Sequence, residues 1–498
     1  MSFYDAIRVG ASGAADFEVE RSLRFNDSDA PKLQRTLGSS GNRKTFTWSG
    51  WVKRSSFAHQ ALFSSTTEVG SGNSHTYLLF NSSHQLVTQS YDYSGGGTNY
   101  YLITTQVFRD PSAWYHIVYA VDTTQSTSSN RIKLYVNGEQ ITSFGTENYP
   151  SQNYEGLINN SSYKMLMGNA FPSLSNNSPL DGYLAEATFI DGLQLTPASF
   201  GETNAATGQW VPIDTSGLTF GTNGFRLKFA DNSGTSATTL GKDSSGNGNN
   251  FTPSGFSVSA GTGNDSLEDT PTNNFATLNS LKKPTNGALS NGNLDGSGNA
   301  SNWVSFFSTI LVSSGKWFCE VKVNATRVGV GIAKDGANEN SYLGSAADTY
   351  AYYDLNGKWN NGSNTSYGAT YTTNDIIGMA LDMDAGTLIF YKNGASQGTA
   401  FTGLSGEFAL GFSVYGGSAN ASINYGQRAF DYTVPTGYKA LNSANLPDPT
   451  IVLPNKHFDT FLYTATGNAM SFTGLNFQPG WIWQKRRDST GGSHFHYL

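Results

Sequence analysis

The stretch RIKLYVNGEQ, residues 131–140, carries apolar side chains at every second position, Ile132, Leu134 and Val136, and then breaks at Asn137-Gly138. Alternation puts those three on one face of an extended strand. An Asn-Gly pair readily takes the positive φ angles of a tight type I′ turn, so the run is predicted to be a strand entering a hairpin. TLIFYKNGAS, residues 387–396, repeats the pattern in register. Leu388 and Phe390 stand where Ile132 and Leu134 do, Tyr391 matches Tyr135, and Asn393-Gly394 matches Asn137-Gly138. Upstream, WYHIVYAVD (114–122) and DIIGMALDMD (375–384) are apolar strands that run into aspartates and a short polar turn before the Asn-Gly strand. Two consecutive hairpins are therefore predicted in each half. Asn-Gly hairpins occur in many antiparallel proteins, so the short motif alone does not establish a shared fold.

The whole composition points the same way. A chain of 498 residues is long enough for several domains, each with its own core. Charged residues make up 13%, about half of the usual share, and aromatic residues also reach 13%. Phe, Tyr and Trp supply burial here, and the abundant Gly, Ser, Asn and Thr read as turns between strands. The net charge of −7, with 30 Lys and Arg, leaves no electrostatic footprint for nucleic acid. No basic block, amphipathic helix or run of ~20 apolar residues suggests a membrane surface or a span. The start, MSFYDAIRVGASGAADFEVE, lacks a basic end followed by an apolar run, so synthesis in the cytoplasm without a signal peptide is expected. Cys319 rules out an intramolecular disulfide and alternates with Trp317 and Val321 in KWFCEVKV, where it reads as core.

Along the chain, residues 1–20 read as an arm that orders on a partner, with Phe3, Tyr4 and Ile7 as its attachment side chains. Residues 21–203 carry short strands such as KTFTWSGWVKRS, with Phe46, Trp48 and Val52 on one face, and one helical turn is expected at 196–201. Residues 204–302 are rich in turn formers and read as a loop-rich, partly ordered connector. Strands return over 303–450 and close with a Pro-rich seam, VPTGYKALNSANLPDPT; residues 451–498 look like the start of a further β module. Short strands between Gly, Asn and Ser clusters, without helical periodicity, predict an all-β chain of two jelly-roll sandwiches.

With these segments in place, residues 22–203 resemble a laminin-G-like, concanavalin-type sandwich through FTWSGWVKRS, WYHIVYAVD, KLYVNGEQ and DGYLAEATFIDGLQLTPASFG. Residues 303–440 resemble a SPRY domain through GKWFCEVKV, VGVGIAKD, YAYYDLNGKW, DIIGMALDMDAGTLIFYKNG and INYGQRAFDYTVPTGYKAL. The succession also resembles large virion-associated proteins of tailed phages. YDAIRVGASGA, SLRFNDSD, AGTGNDSLEDTPTNNFATLN, LNSANLPDPTI and FTGLNFQPGWIWQKRR carry that likeness. It implies a tail fibre or similar appendage bound to other virion proteins, a homo-oligomer, trimeric by analogy with phage fibres, and a host glycan or protein receptor as ligand.

Concanavalin-like folds include polysaccharide-cleaving enzymes, which often mount carboxylates as Glu-x-Asp-x-x-Glu on one strand; that spacing is missing here. Asp382 and Asp384 in DMDAG read as turn formers. They supply too few oxygens for calcium, to which Asp122 or Asp181 could contribute. His494-x-His496 could coordinate zinc but reads as surface, and the sequons at Asn81, Asn160 and Asn250 are those expected by chance. No cofactor is expected. YAYYDLNGKWNNGSNTSYGATY, residues 350–371, is the candidate ligand site. Tyr353, Trp359 and Tyr367 could stack on sugar rings while Asp354 and Asn360 bond hydroxyls. The competing reading makes the aromatics core and the asparagines turns. The expectation is a non-enzymatic virion protein; a polysaccharide-degrading enzyme and a cell-surface adhesin are the alternatives.

Overall fold

A computed structural model describes residues 17–66, 74–93, 95–170, 178–354, 357–417, 419–451, 453–461, 463–486 and 494–497. The first half forms β1 (Ser22–Phe25), β2 (Lys32–Thr36), β3 (Thr45–Arg54), β4 (Gln60–Thr66), β5 (His75–Phe80), β6 (Gln85–Asp92) and β7 (Gly97–Val107). It continues with β8 (Trp114–Asp122), β9 (Ile132–Val136), β10 (Glu139–Gln140), β11 (Phe144–Asn148), β12 (Lys164–Met167) and β13 (Gly182–Asp191). The helical turn expected at 196–201 is a short 3-10 turn, Pro197–Ser199. Next come β14 (Gly201–Thr203), β15 (Trp210–Pro212), β16 (Phe225–Leu227), β17 (Thr252–Ser254), β18 (Ser266–Leu267), β19 (Gly287–Ser290) and β20 (Asp295–Gly298). The second half holds β21 (Trp303–Val312), β22 (Lys316–Val323), β23 (Val328–Lys334), β24 (Thr349–Tyr353), β25 (Gly357–Asn360) and β26 (Ser363–Ser366). It ends with β27 (Ile376–Asp382), β28 (Thr387–Lys392), β29 (Ala395–Phe401), β30 (Phe408–Tyr415), β31 (Asn420–Asn424) and β32 (Lys439–Ala440).

Two sandwiches result, and their strand orders match. The hairpin sheet of the first runs β10-β9-β8-β3-β13-β1-β18. That of the second runs β29-β28-β27-β22-β31-β20-β19. The facing sheets agree as well, β7-β6-β5-β4-β12-β2 against β26-β25-β24-β23-β30-β21. Period-2 alternation explains which side chains meet inside. Phe46, Trp48 and Val52 of β3 join Ile132 and Leu134 of β9 in one core, with Trp48 stacked on Phe63 at 5.8 Å. Leu388 and Phe390 of β28 join Trp317, Cys319 and Val321 of β22 in the other. Asn137 and Gly138 have φ of 49° and 86°, and Asn393 and Gly394 49° and 78°, as a type I′ turn requires.

The expected connector is turn-rich but stitched into both sandwiches. β16 pairs with β13, β17 with β2 and β18 with β1, whereas β20 pairs with β31 of the second sandwich. These strands are two to four residues long, too short to show periodicity of their own, and they form because a longer strand offers a free edge. Buried ion pairs fix the stitching. Lys53 Nζ lies 2.8 Å from Asp269, Arg24 Nη2 lies 2.9 Å from Asp265, and Arg226 Nε lies 2.8 Å from Glu186, which sits at a bulge in β13 with φ 47°. Residues 291–294 touch both halves: Asn293 Nδ2 donates to Ser55 O at 2.8 Å, while Ile423 N donates to Leu294 O at 2.8 Å.

At the start, packing already begins within the expected arm. Val19 is buried and its N–H donates to Thr272 Oγ1 at 3.1 Å, so residues 17–20 belong to the first sandwich. Phe3, Tyr4 and Ile7 lie outside the described residues. At the other end, β33 (Ile482–Lys485) and β34 (His494–Tyr497) pair as a hairpin. The described residues after Pro449 show no buried cluster, and Phe458, Trp481, Trp483 and Phe495 are exposed. No helix among the described residues is long and apolar enough to cross a membrane.

Candidate functional site

The site grows from the outward face of the sheet that holds β24 and β25. Alternation sends Tyr350 and Tyr352 toward the second core and leaves Ala351 and Tyr353 outward, and Trp359 pairs with Ala351 across the strands. Tyr353 faces Gly329 on β23. A Cβ there would stand 2.2 Å from the Tyr353 ring, so the glycine lets that ring lie down on the sheet. A loop at 335–348 then closes over it. Ser305 N donates to Glu339 O at 2.8 Å, Leu343 N to Ser413 Oγ at 2.8 Å, and Tyr353 OH to Leu343 O at 2.9 Å.

Four rings stay half-buried around this plug: Trp303, Tyr342, Trp359 and Tyr415. Trp303 meets Tyr353 edge-on at 5.2 Å, and Tyr342 meets Trp359 edge-on at 5.7 Å. Tyr415 sits 5.3 Å from Trp303 and carries the Arg327 guanidinium 4.6 Å above its ring. Arg327 is exposed and forms no ion pair among the described residues. Burial pushes the Tyr353 phenol far above its ordinary range, so its hydroxyl stays protonated and keeps its donor for Leu343 O.

The five side chains expected to bind ligand therefore separate. Tyr353 and Trp359 stand together, but Tyr353 is buried and supports the face from beneath. Asp354 turns its carboxylate to the backbone, accepting from Arg327 N at 2.7 Å. The Asn360 amide donates to the carbonyls of Ala347 and Thr349, at 3.1 and 2.9 Å. Tyr367 lies on the opposite side of the sheet, stacked edge-on against Tyr352 and bonded to Gly398 O at 2.6 Å. For Asp354, Asn360 and Tyr367 the competing reading of turn and core describes the geometry. Trp303, Tyr342, Tyr415 and Arg327 escaped the sequence reading because they come from four separated segments, which only strand register and a covering loop bring together. A second face also went unread, where His75 on β5 stacks with Tyr77 at 5.4 Å and with Tyr91 at 5.5 Å.

The acidic groups serve the scaffold. Asp382 accepts from Asp384 N and Ala385 N, pairs with Lys316 at 2.9 Å, and is held below the ordinary carboxylate range by those contacts against the opposing effect of burial. Asp384 accepts from Gly315 N at 2.7 Å. Burial raises Glu320 to about 7, yet its oxygens cap Asp431 N and Tyr432 N. Asp122 is filled by Thr45, Thr124 and Gln125, and no three His, Cys, Asp or Glu among the described residues are grouped to hold a metal. His494 Nδ1 accepts from Trp483 Nε1 at 3.0 Å and His496 stacks on Trp481, so both are engaged with indoles. The side chains of Asn81, Asn160 and Asn250 all accept from backbone amides in turns. Cys319 is fully buried, and burial pushes its thiol far up.

Comparison with known proteins agrees with this architecture. Residues 28–199 match the family described as the concanavalin A-like lectin/glucanases superfamily, and residues 316–428 match the SPRY domain. The protein is thus a two-sandwich chain with a concanavalin A-like domain followed by a SPRY domain. Over 139 residues, 26% of this chain and 11% of the other, it is 30% identical to the E3 ubiquitin-protein ligase RKP of Arabidopsis thaliana. Over 133 residues it is 30% identical to Ran-binding protein 9 of Homo sapiens, covering 25% of this chain and 18% of that one, and 32% identical to Ran-binding protein 9 of Xenopus laevis, covering 25% and 24%. The chain spans about a tenth to a quarter of the length of these relatives. Among solved structures, the SPRY domain of human HERC1 matches 29% of this chain and 96% of its own, with 19% identity and a TM-score of 0.27. The TRIM65 PSpry domain matches 30% and 92%, with 14% identity and a TM-score of 0.27. The relatives named here come from eukaryotes, and their names do not refer to a phage particle.

Proposed function

We propose that this chain is a non-enzymatic component of a tailed-phage particle, a tail fibre or similar appendage, made in the host cytoplasm and assembled with other virion proteins. In this reading the two sandwiches are a stiff scaffold, oligomeric and by analogy trimeric, and the aromatic face of the SPRY domain recognises a host-surface glycan or protein receptor. The placement on a virion rests on connector phrases such as AGTGNDSLEDTPTNNFATLN and LNSANLPDPTI. Recognition rests on one observation: four half-buried rings surround Tyr353 beside a guanidinium with no acidic partner among the described residues. Surface rings and a lone cation gain burial and pairing when a ligand arrives. The carboxylate beside the rings, that of Asp354, is committed to the backbone N–H of Arg327, which supports binding over bond cleavage.

The test combines three measurements. Antibody against the chain should label purified infectious particles, and an unlabelled particle overturns the virion reading. The purified chain should bind host cells and lose that binding in Trp359→Ala and Trp303→Ala, with the melting temperature followed alongside; unchanged binding overturns the role of the face. Host polysaccharide incubated with the chain should release no reducing ends. Sustained turnover abolished by replacing an Asp or Glu would establish an enzyme instead.

A further inference from the structure

We propose that the ligand of this aromatic face is an acidic polysaccharide whose sugar rings carry carboxylates, with rings resting on Trp303 and Trp359 and a carboxylate paired to Arg327. The inference rests on the reading of the face as a recognition surface and goes further in naming the ligand chemistry. Arg327 is held ready. Its backbone is fixed at φ 66°, its N–H is accepted by Asp354, its carbonyl accepts from Tyr415 N at 3.1 Å, and its guanidinium lies over the Tyr415 ring. The guanidinium is exposed, rests over a ring and has no acidic partner among the described residues, which leaves N–H donors for a carboxylate, the group an arginine meets through two parallel hydrogen bonds. A cation already immobilised loses little freedom when its partner docks.

The platform beside it suits sugar rings better than a peptide. Trp303 and Tyr415 are cross-strand partners on β21 and β30, and Trp359 lies on β25 between β24 and β26. β24, β25 and β30 are paired on both sides and β21, which carries Trp303, is the edge of the sheet, so a peptide adding a strand would lie beside Trp303 and not over Trp359. What is offered is the exposed parts of several mutually tilted rings, one cation without an acidic partner among the described residues, and exposed amides and hydroxyls at Asn302, Ser301 and Asn361. Sugars present apolar ring faces and hydroxyl edges, which match those two kinds of surface.

Isothermal titration of the full chain with polygalacturonate, its fully methyl-esterified form and dextran sulfate tests the proposal. Esterification keeps the ring and removes the charge. The free acid should bind, and esterification or Arg327→Gln should each weaken binding by about tenfold, the two losses not adding because they remove the same pair. Trp359→Ala should weaken both polymers. Equal binding of acid and ester, or an Arg327→Gln variant that binds like the parent, overturns the acidic ligand while leaving the recognition face intact if Trp359→Ala still lowers binding to host cells. Dextran sulfate bound as tightly as the uronate shows that charge alone is read and overturns the carboxylate assignment. No binding of polygalacturonate at roughly millimolar uronate, with capture of a host protein instead, overturns the glycan.

Discussion

The side chain of Asn137 reaches across the sheet to accept a hydrogen bond from His116 N at 2.8 Å, and its own N–H donates back to His116 O at 2.9 Å. Asn393 does the same with Ile376, at 2.9 and 2.8 Å. The asparagine therefore sets the turn and also ties the start of the preceding strand. A later segment then folds over the glycine that follows. The Trp210 ring lies against Gly138, where a Cβ would stand 2.6 Å away, and Tyr432 lies against Gly394, where a Cβ would stand 2.7 Å away. Trp210 Nε1 also donates to His116 Nδ1 at 2.9 Å, closing a loop of contacts around the turn.

Replacing Gly138 or Gly394 with valine should accordingly cost on the order of 1–3 kcal/mol through left-handed strain, and more if the covering ring must leave. Urea melts of the two variants would check it, with Trp210 fluorescence reporting displacement in Gly138→Val. Unchanged midpoints in both would mean that the turns do not specify the hairpins. Host-cell binding per folded molecule should stay as in the parent, since neither glycine belongs to the aromatic face.

Lys53 offers a sharper test of how the connector is held. Its ammonium is fully buried and spends three donors on Asp269, Asn274 Oδ1 and Phe275 O, each at 2.8 Å, while Asp269 also accepts from Trp114 Nε1. Lys53→Met leaves a carboxylate buried without its counter-charge, which should cost about 3–5 kcal/mol. Adding Asp269→Leu should recover much of the loss. Calorimetry would follow both, and a single variant as stable as the parent would show that the pair contributes no more than a surface contact.

The hairpins were legible in the sequence because every signal they need is local: alternation over five residues, an Asn-Gly pair, and an aspartate at the preceding strand end. The sandwiches were legible from longer phrases of the same kind. Thr252–Ser254 and Ser266–Leu267 were not, because strands this short take their conformation from the partner edge. The candidate site was half legible. Tyr353 and Trp359 could be read as neighbours from 350–371, but their company depends on the pairing of Trp303 with Tyr415 and on the loop that brings Tyr342. Tyr367 stands apart for a related reason: composition marks it as a sugar-stacking residue, and only the path after β26 shows that it packs toward Phe390.

The N-terminal residues call for a truncation placed by packing. Phe17 and Val19 sit against Trp51, Trp114 and Tyr183, so deletion should stop at Asp16. Chains lacking residues 1–16 should melt like the parent and fail to enter particles. Normal incorporation would sink the attachment role of Phe3, Tyr4 and Ile7. A deletion through Glu20 should also lower the melting temperature, because it uncovers that aromatic cluster.

The pH dependence of stability turns on Asp181, which is nearly fully buried, with Oδ1 lacking a hydrogen-bond partner among the described residues. Burial, with Asp27 adding to it and Arg24 opposing, raises its carboxyl from 3.8 to about 7. Between those two values the folded chain holds a proton that the unfolded chain has released. The contribution is therefore full below about pH 4 and is lost as pH rises through about 7, stability falling by about 1.4 kcal/mol per pH unit across that window. Asp181→Asn is neutral at every pH and escapes this loss. It should match the parent near pH 4 and exceed it by a few kcal/mol at about pH 8, a gap readable as a melting temperature that separates with rising pH. The comparison isolates Asp181 from Glu320, which titrates in the same range and is present in both proteins. Parallel curves across that pH range would show that the carboxyl reaches solvent in the folded state.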